Sequence, residues 1–190
     1  VMSDDKMMKE DDAMMEKEEV MEAKTEEAAA PTASLHFTDP LINRLKSRNC
    51  QIEKLTLHVG AGTFKPVESE EMSSHKMHAE EFWISKELLF SLVKNLNKNI
   101  ISVGTTSMRA LESIYWLGLM AQRGSLEKDK IAFVPQWIAY ESENTISPLE
   151  SLTALIGFME KHNRLNLLAR TAIIIAPGYK FKIANGLITN

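Results

Sequence analysis

The 190-residue chain predicts an α/β fold, with a mainly parallel or mixed sheet and flanking helices. Three observations point there. Strand-like and helix-like segments alternate in the order β then α. A short apolar run, Thr171 to Ala176, reads as a buried strand continuing that order. Hydrophobic content of 44% and charged content of 25% are those of an ordinary globular domain. At this length the chain can bury one good core, and a second would have to be small.

Taken in order, residues 1–28 are rich in Met, Glu, Asp and Lys and contain no Gly, Pro or aromatic residue. Their methionines at 7, 8, 14, 15 and 21 recur near heptad spacing, so the segment is either an amphipathic helix packed on the body or a disordered acidic arm. A helix is expected from Pro40 to Arg48. A strand from Glu53 to Val59 follows, alternating in polarity until Gly60, Gly62 and Thr63 break it. A helix from Lys86 to Leu96, a strand from Ile100 to Val103 and a helix from Thr106 to Met120 come next. Residues 131–144, with Phe133, Pro135, Trp137 and Tyr140, fit a strand pair or a surface loop. Their rings would be core by default, with base stacking as the sharper alternative. A helix from Leu149 to His162 leads to the Thr171 strand, and Asn185-Gly186 suggests a terminal hairpin. No internal repeat is visible.

Charge and composition bound the function. The net charge of −4 is divided unevenly: residues 1–28 carry eleven acids against four lysines, which leaves fifteen acids against eighteen bases for the rest. A mildly basic body is compatible with a nucleic-acid partner without demanding one. A single cysteine excludes an internal disulfide and suits a reducing cytoplasm, so a cytoplasmic location is expected. No apolar run approaches the ~20 residues that span a bilayer, and the first residues do not read as a secretory signal, so no membrane association is expected.

The densest chemistry lies between Leu55 and Glu81. Gly-x-Gly at the end of a strand is a plain turn or a loop where backbone N–H groups approach a ligand, and Lys65, His75, His78 and Glu80 nearby favour the second reading. His75 and His78, three apart, would share a helix face. There is no His-Glu-x-x-His pattern, however, Cys50 is distant, and no third ligand has suitable spacing, so no metal is expected. Polar catalytic or substrate-binding roles, or a surface position, remain for these histidines. Farther on, Gly104-Thr105-Thr106-Ser107 lies between a strand and a helix. It reads either as an anion-attracting helix start or as simple capping, with Arg109 and Glu112 forming a surface pair.

Five blocks carry a family resemblance. They are A-A-P-T-A-S-L-H-F-T (Ala29 to Thr38), L-H-V-G-A-G-T-F-K-P-V (Leu57 to Val67), H-K-M-H-A-E (His75 to Glu80), V-G-T-T-S-M-R-A-L-E-S (Val103 to Ser113) and P-G-Y-K-F-K-I-A-N-G-L-I-T-N (Pro177 to Asn190). In this order they resemble the S-adenosylmethionine:tRNA ribosyltransferase-isomerases of queuosine biosynthesis. The resemblance implies transfer and isomerisation of the ribosyl unit of S-adenosylmethionine onto 7-aminomethyl-7-deazaguanine at the tRNA wobble position, giving epoxyqueuosine-tRNA, adenine and methionine. S-adenosylmethionine is then a co-substrate and the precursor tRNA the partner. Such chemistry needs a base at the ribose carbon beside the sulfonium, activation of adenine as leaving group, and surroundings that hold the cationic sulfur.

Residue by residue, the resemblance implies catalytic candidates at His78, Glu80, His58 and His75, with His78 or Glu80 favoured as acid or base. It implies substrate contacts at His36, Gly60, Gly62, Thr63, Phe64, Lys65, Thr105, Thr106, Arg109, Tyr179 and Phe181. Ser34 and Ala79 stand where the family usually shows Gly and Ser. The family's longer front portion, its inserted small β-barrel and a Phe-His-x-Pro run after the last block are not recognisable. The expected organisation is therefore a 1–28 tail and a partial α/β domain over 29–190, without the barrel. The alternative is a noncatalytic nucleoside- or tRNA-binding relative or an inactive fragment.

Overall fold

A computed structural model of the chain describes residues 32–58 and 77–189. A 3-10 turn, Thr32–His36, precedes helix α1, Asp39–Ser47. Pro40 occupies the first turn of α1, with Asp39 beside it and Arg44 and Lys46 in the last turn, a charge order that complements the helix dipole. No residue of α1 is buried, so it lies on the outside of the domain.

Two strands follow, β1 (Thr56–His58) and β2 (Glu80–Ser85). Along β2 the residues Glu80, Phe82 and Ile84 are buried on one face while Trp83 is exposed, the period of two expected of a strand with one face on the core. Helix α2, Lys86–Asn95, starts without a linker because Ser85 caps it, its Oγ accepting from Leu88 N at 3.1 Å. Leu88, Leu89 and Leu92 turn inward. Strand β3 (Ile101–Val103) then feeds α3, Thr105–Gln122.

Helix α3 is apolar nearly all round, with every residue from Glu112 to Leu119 buried, which marks it as the central element of the domain. After β4 (Ala132–Val134) and the short α4 (Ile138–Glu141) comes α5, Pro148–Lys161. Its start is a capping box: Ser147 Oγ accepts from Glu150 N, and Glu150 Oε2 accepts from Ser147 N. Helices α3 and α5 meet with backbones nearly touching at Gly118, where a Cβ would run into the main chain of Ser151. Ser151 Oγ donates to Tyr115 O at that crossing.

Strands β5 (Asn166–Thr171) and β6 (Gly186–Ile188) complete the regular structure of the described residues. One sheet has the order β1-β2-β5-β4, with β1/β2 and β2/β5 antiparallel and β4/β5 parallel. A separate parallel pair joins β3 and β6. The core lies between the sheet and the α3/α5 layer, around Phe82, Ile84, Ile114, Trp116, Leu152, Leu155 and Leu167. Each such side chain contributes ~1.5–3 kcal/mol on burial.

The α/β class and the mixed sheet agree with expectation, and several details are corrected. The expected Glu53 strand is shorter, Thr56–His58, and its end at Val59 lies outside the described residues. The last long strand is Asn166–Thr171, upstream of the Thr171–Ala176 run. That run leaves the ladder yet stays tied to it, Ala172 N donating to Val134 O and Ile174 N to Gln136 O. Its apolar residues are buried by packing. Asn185-Gly186 makes no hairpin. Asn185 instead sets the parallel register of β6 on β3, exchanging hydrogen bonds with Ile100 through its Oδ1 and its own N–H. Residues 131–144 form one short strand and one helical turn, neither a strand pair nor a plain loop.

Candidate functional site

The register Glu80↔Thr171 places the first residue of β2 beside the last residue of β5. Segment 77–79 arrives at that edge, and the first turns of α3 lie over it. Ligands of α/β sheets bind at such strand ends. Here Arg109, from the second turn of α3, gathers three segments. Its Nε donates to Ile173 O at 3.0 Å, and its Nη2 reaches His78 O at 3.4 Å and Thr171 O at 3.5 Å. Its Nη1 stands 3.0 Å from Glu80 Oε2. Burial pushes the guanidinium pKa below its ordinary value, and the adjacent Glu80 charge opposes that shift.

Glu80 is 2% exposed. Among the described residues the one partner of its carboxylate is the Arg109 guanidinium, and no other group hydrogen-bonds either oxygen. Removing a carboxylate from water is costly, and buried polar atoms are nearly always hydrogen-bonded. A buried acid with a single partner among the described residues is therefore suited to receive a proton or a cationic group. Behind it, Ser113 Oγ donates to Thr171 Oγ1 at 2.6 Å, which in turn accepts from Ile173 N at 3.1 Å. These bonds hold the strand end against α3.

One turn further along α3, Glu112 is the opposite case. It is fully buried and all its capacity is used: Oε2 accepts from Tyr179 OH at 2.9 Å and Lys182 N at 2.7 Å, and Oε1 accepts from Ile183 N and Ala184 N, each at 2.9 Å. The carboxylate thereby fixes the course of the segment that carries Tyr179 and Phe181. Trp116 Nε1 donates to the same Tyr179 hydroxyl at 3.1 Å. Burial, with the Glu112 charge adding to it, pushes the Tyr179 phenol far above its ordinary pKa.

The expected site residues are distributed as follows. His78, Glu80 and Arg109 are brought into direct contact, with the His78 side chain exposed at the rim. His58 is exposed on the edge strand, paired with Glu81 next to Glu80. Thr105 is exposed and Thr106 half-buried at the start of α3. His36, exposed, ends the turn whose Ala33 lies close to Gly104. Tyr179 and Phe181 stand edge to face at 5.3 Å. Gly60, Gly62, Thr63, Phe64, Lys65 and His75 lie outside the described residues, as does the 1–28 tail.

The simple reading of the α3 start, hydroxyl capping with an Arg109–Glu112 surface pair, is corrected. Gly104 is the N-cap at φ 91° with no side-chain cap, Arg109 pairs with Glu80, and Glu112 is buried elsewhere. Sequence reasoning gave no site role to Glu112, Gln136 or Thr171. Gln136 ties the site together, its Oε1 accepting from Met77 N at 3.0 Å. Among the described residues no group of three His, Cys, Asp or Glu side chains is placed to hold a metal, and no helix is long and apolar enough to cross a membrane.

Comparison with known proteins gives a consistent result. Residues 13–190 match the family model described as "Queuosine biosynthesis protein". The chain is 36% identical over 165 residues to the S-adenosylmethionine:tRNA ribosyltransferase-isomerase of Clostridioides difficile, covering 86% of this chain and 36% of that protein. It is 38% identical over 165 residues to the protein of the same name from Staphylococcus epidermidis, with the same coverage of each. With the one from Halothermothrix orenii it shares 37% over 164 residues, 85% of this chain and 36% of that one. The chain thus spans about a third of the length of these curated relatives. No solved structure matches it.

Proposed function

Because the chain belongs to the queuosine biosynthesis protein family and its relatives are named S-adenosylmethionine:tRNA ribosyltransferase-isomerases, we propose that it moves the ribosyl unit of S-adenosylmethionine to 7-aminomethyl-7-deazaguanine in tRNA and isomerises it, releasing adenine and methionine. The carrying observation is the buried Glu80 carboxylate, whose one partner among the described residues is Arg109. In that setting it can take the proton from the ribose carbon beside the sulfonium, or hold the cationic sulfur as the bond to it weakens. A charge in a partly dry site acts more strongly than one in water. Arg109 is the positioning residue. It bridges the 77–79 segment, the end of β5 and α3, and so fixes where Glu80 points.

His78, two residues before that carboxylate and exposed, would pass a proton to or from solvent or the adenine leaving group. The uncapped start of α3, with Thr105 and Thr106, offers backbone N–H groups to the methionine carboxylate or a ribose hydroxyl. His36 and His58 flank these elements as further substrate contacts. A cytoplasmic location is part of this proposal.

The test is calorimetric titration of the purified chain with S-adenosylmethionine, followed by chromatography for adenine with and without precursor tRNA. Adenine released only with the modified-precursor tRNA is the expected result. Glu80→Gln keeps the side chain's size and removes its charge, and should lower that release ~10²-fold or more. Three results overturn the reading: wild-type release by Glu80→Gln, binding of S-adenosylmethionine without release, or a folded chain that neither binds nor releases.

A further inference from the structure

We infer that four rings beside the site, Trp137, Tyr140, Tyr179 and Phe181, form a stacking surface for the unpaired bases of an RNA loop, an inference that rests on the tRNA reading above. The rings make a continuous ladder of edge-to-face neighbours. Centroids are 5.7 Å apart between Trp137 and Tyr140, 6.5 Å between Tyr140 and Tyr179, and 5.3 Å between Tyr179 and Phe181. Each edge-to-face contact covers one face of one ring, so the faces open to a ligand belong to the exposed rings. Tyr140 and Phe181 remain 44% and 49% exposed.

Two of these rings, Tyr140 and Tyr179, are held in place by their hydroxyls before any ligand arrives. The Tyr140 hydroxyl accepts from Ala176 N at 2.9 Å and reaches Ile174 O at 3.5 Å. The Tyr179 hydroxyl donates to Glu112 and accepts from Trp116. A pre-set aromatic surface loses little conformational entropy on binding, which is how rigid Tyr and Trp anchors gain affinity. Other exposed apolar side chains, such as Leu165 and Leu149, have no such scaffolding of hydroxyl bonds.

The ladder also adjoins the chemistry. Ile173 gives its carbonyl to Arg109, and the next residue, Ile174, faces the Tyr140 hydroxyl. A base presented to Glu80 would have its loop neighbours over these rings. Lys180 is exposed between Tyr179 and Phe181, while Glu141 and Glu143 follow Tyr140. Local charge is therefore mixed, and stacking carries the attraction. Base stacking on aromatic side chains tolerates any sequence but requires unpaired bases, which selects a loop over a duplex.

The experiment compares binding of a fluorescently labelled RNA stem-loop with that of a fully paired duplex of the same stem, using the whole chain. Wild type should prefer the loop, with a weak salt dependence. Phe181→Leu keeps apolar bulk but removes the π face and should weaken loop binding about tenfold, and Phe181→Trp should restore it. Equal affinity for loop and duplex, or an unchanged loop affinity in Phe181→Leu, overturns the inference. The S-adenosylmethionine titration separates the two readings. Ring-dependent loop binding without turnover refutes the transferase alone, and turnover with ring-independent loop binding refutes the ladder alone.

Discussion

Replacing Glu112 by alanine should be among the costliest single changes to a charged residue in the described fold, and the amount follows from its four partners. Two of them, the N–H groups of Ile183 and Ala184, are buried at their hydrogen bonds, while Tyr179 OH and Lys182 N are partly buried. A buried donor left without an acceptor costs ~1–3 kcal/mol, so the first two account for about 2–6 kcal/mol. The other two can turn to water and add about 1 kcal/mol together. Relief of the buried carboxylate's own desolvation offsets part of this. The net expectation is a loss of about 4 kcal/mol, a large share of the ~5–15 kcal/mol that holds a typical domain together.

Glu112→Gln retains one oxygen able to accept two bonds and presents an amide NH2 to the other two donors. It should cost about half as much. Urea unfolding followed by circular dichroism measures both. With a slope of about 2 kcal/mol/M, the midpoint should fall by about 2 M for alanine and about 1 M for glutamine. A midpoint within 0.3 M of wild type for Glu112→Ala, at unchanged slope, would show that the bonds to the 179–184 segment contribute nothing net and would refute the reasoning.

Arg109→Met removes the only cation paired with Glu80 among the described residues and should destabilise by about 3–5 kcal/mol, the effect of an uncompensated buried charge. Adding Glu80→Gln should then recover at least ~1 kcal/mol, and a double-mutant cycle with no such recovery would deny the pairing any energetic role. Tyr179 and Tyr115 both have phenol pKa values raised by burial. The folded chain therefore keeps protons that the unfolded chain releases above about pH 10, so this contribution to stability is full below that pH and is lost as pH rises beyond it. Urea midpoints at successive alkaline pH values should fall, and fall less steeply in Tyr179→Phe; identical slopes in the two proteins would contradict the assignment.

The helices could be read from sequence because their information is local. Ser147, Pro148 and Glu150 spell out the start of α5, and the expected bounds of α2, α3 and α5 lie within two residues of those found. The sheet was harder. Strand β2 begins with two glutamates, and its buried alternation was hidden because Glu80 occupies an inward position that an apolar residue usually fills. The run after Thr171 looked more strand-like than β5 itself, yet it is buried by packing and makes only scattered sheet bonds.

Part of the site was visible through the H-K-M-H-A-E and V-G-T-T-S-M-R blocks, which do bring His78, Glu80 and Arg109 together. Glu112 was not, because its acceptor role depends on residues 67 to 72 positions away, and nothing in the local pattern distinguishes it from a surface helix glutamate.

Arg109 touches residues 31, 62 and 64 positions away in the chain, so the cluster around it exists only once β2, β5 and α3 have found one another. Contacts of such long sequence separation close late in folding. A partly folded chain, whatever helices it retains, holds no rudimentary version of this site. It follows that any molecule bound there recognises the finished domain alone, and raises the free energy of unfolding of the whole domain by its full binding term. Occupancy by substrate would thus protect the protein from heat and proteolysis at points far from the bound atoms.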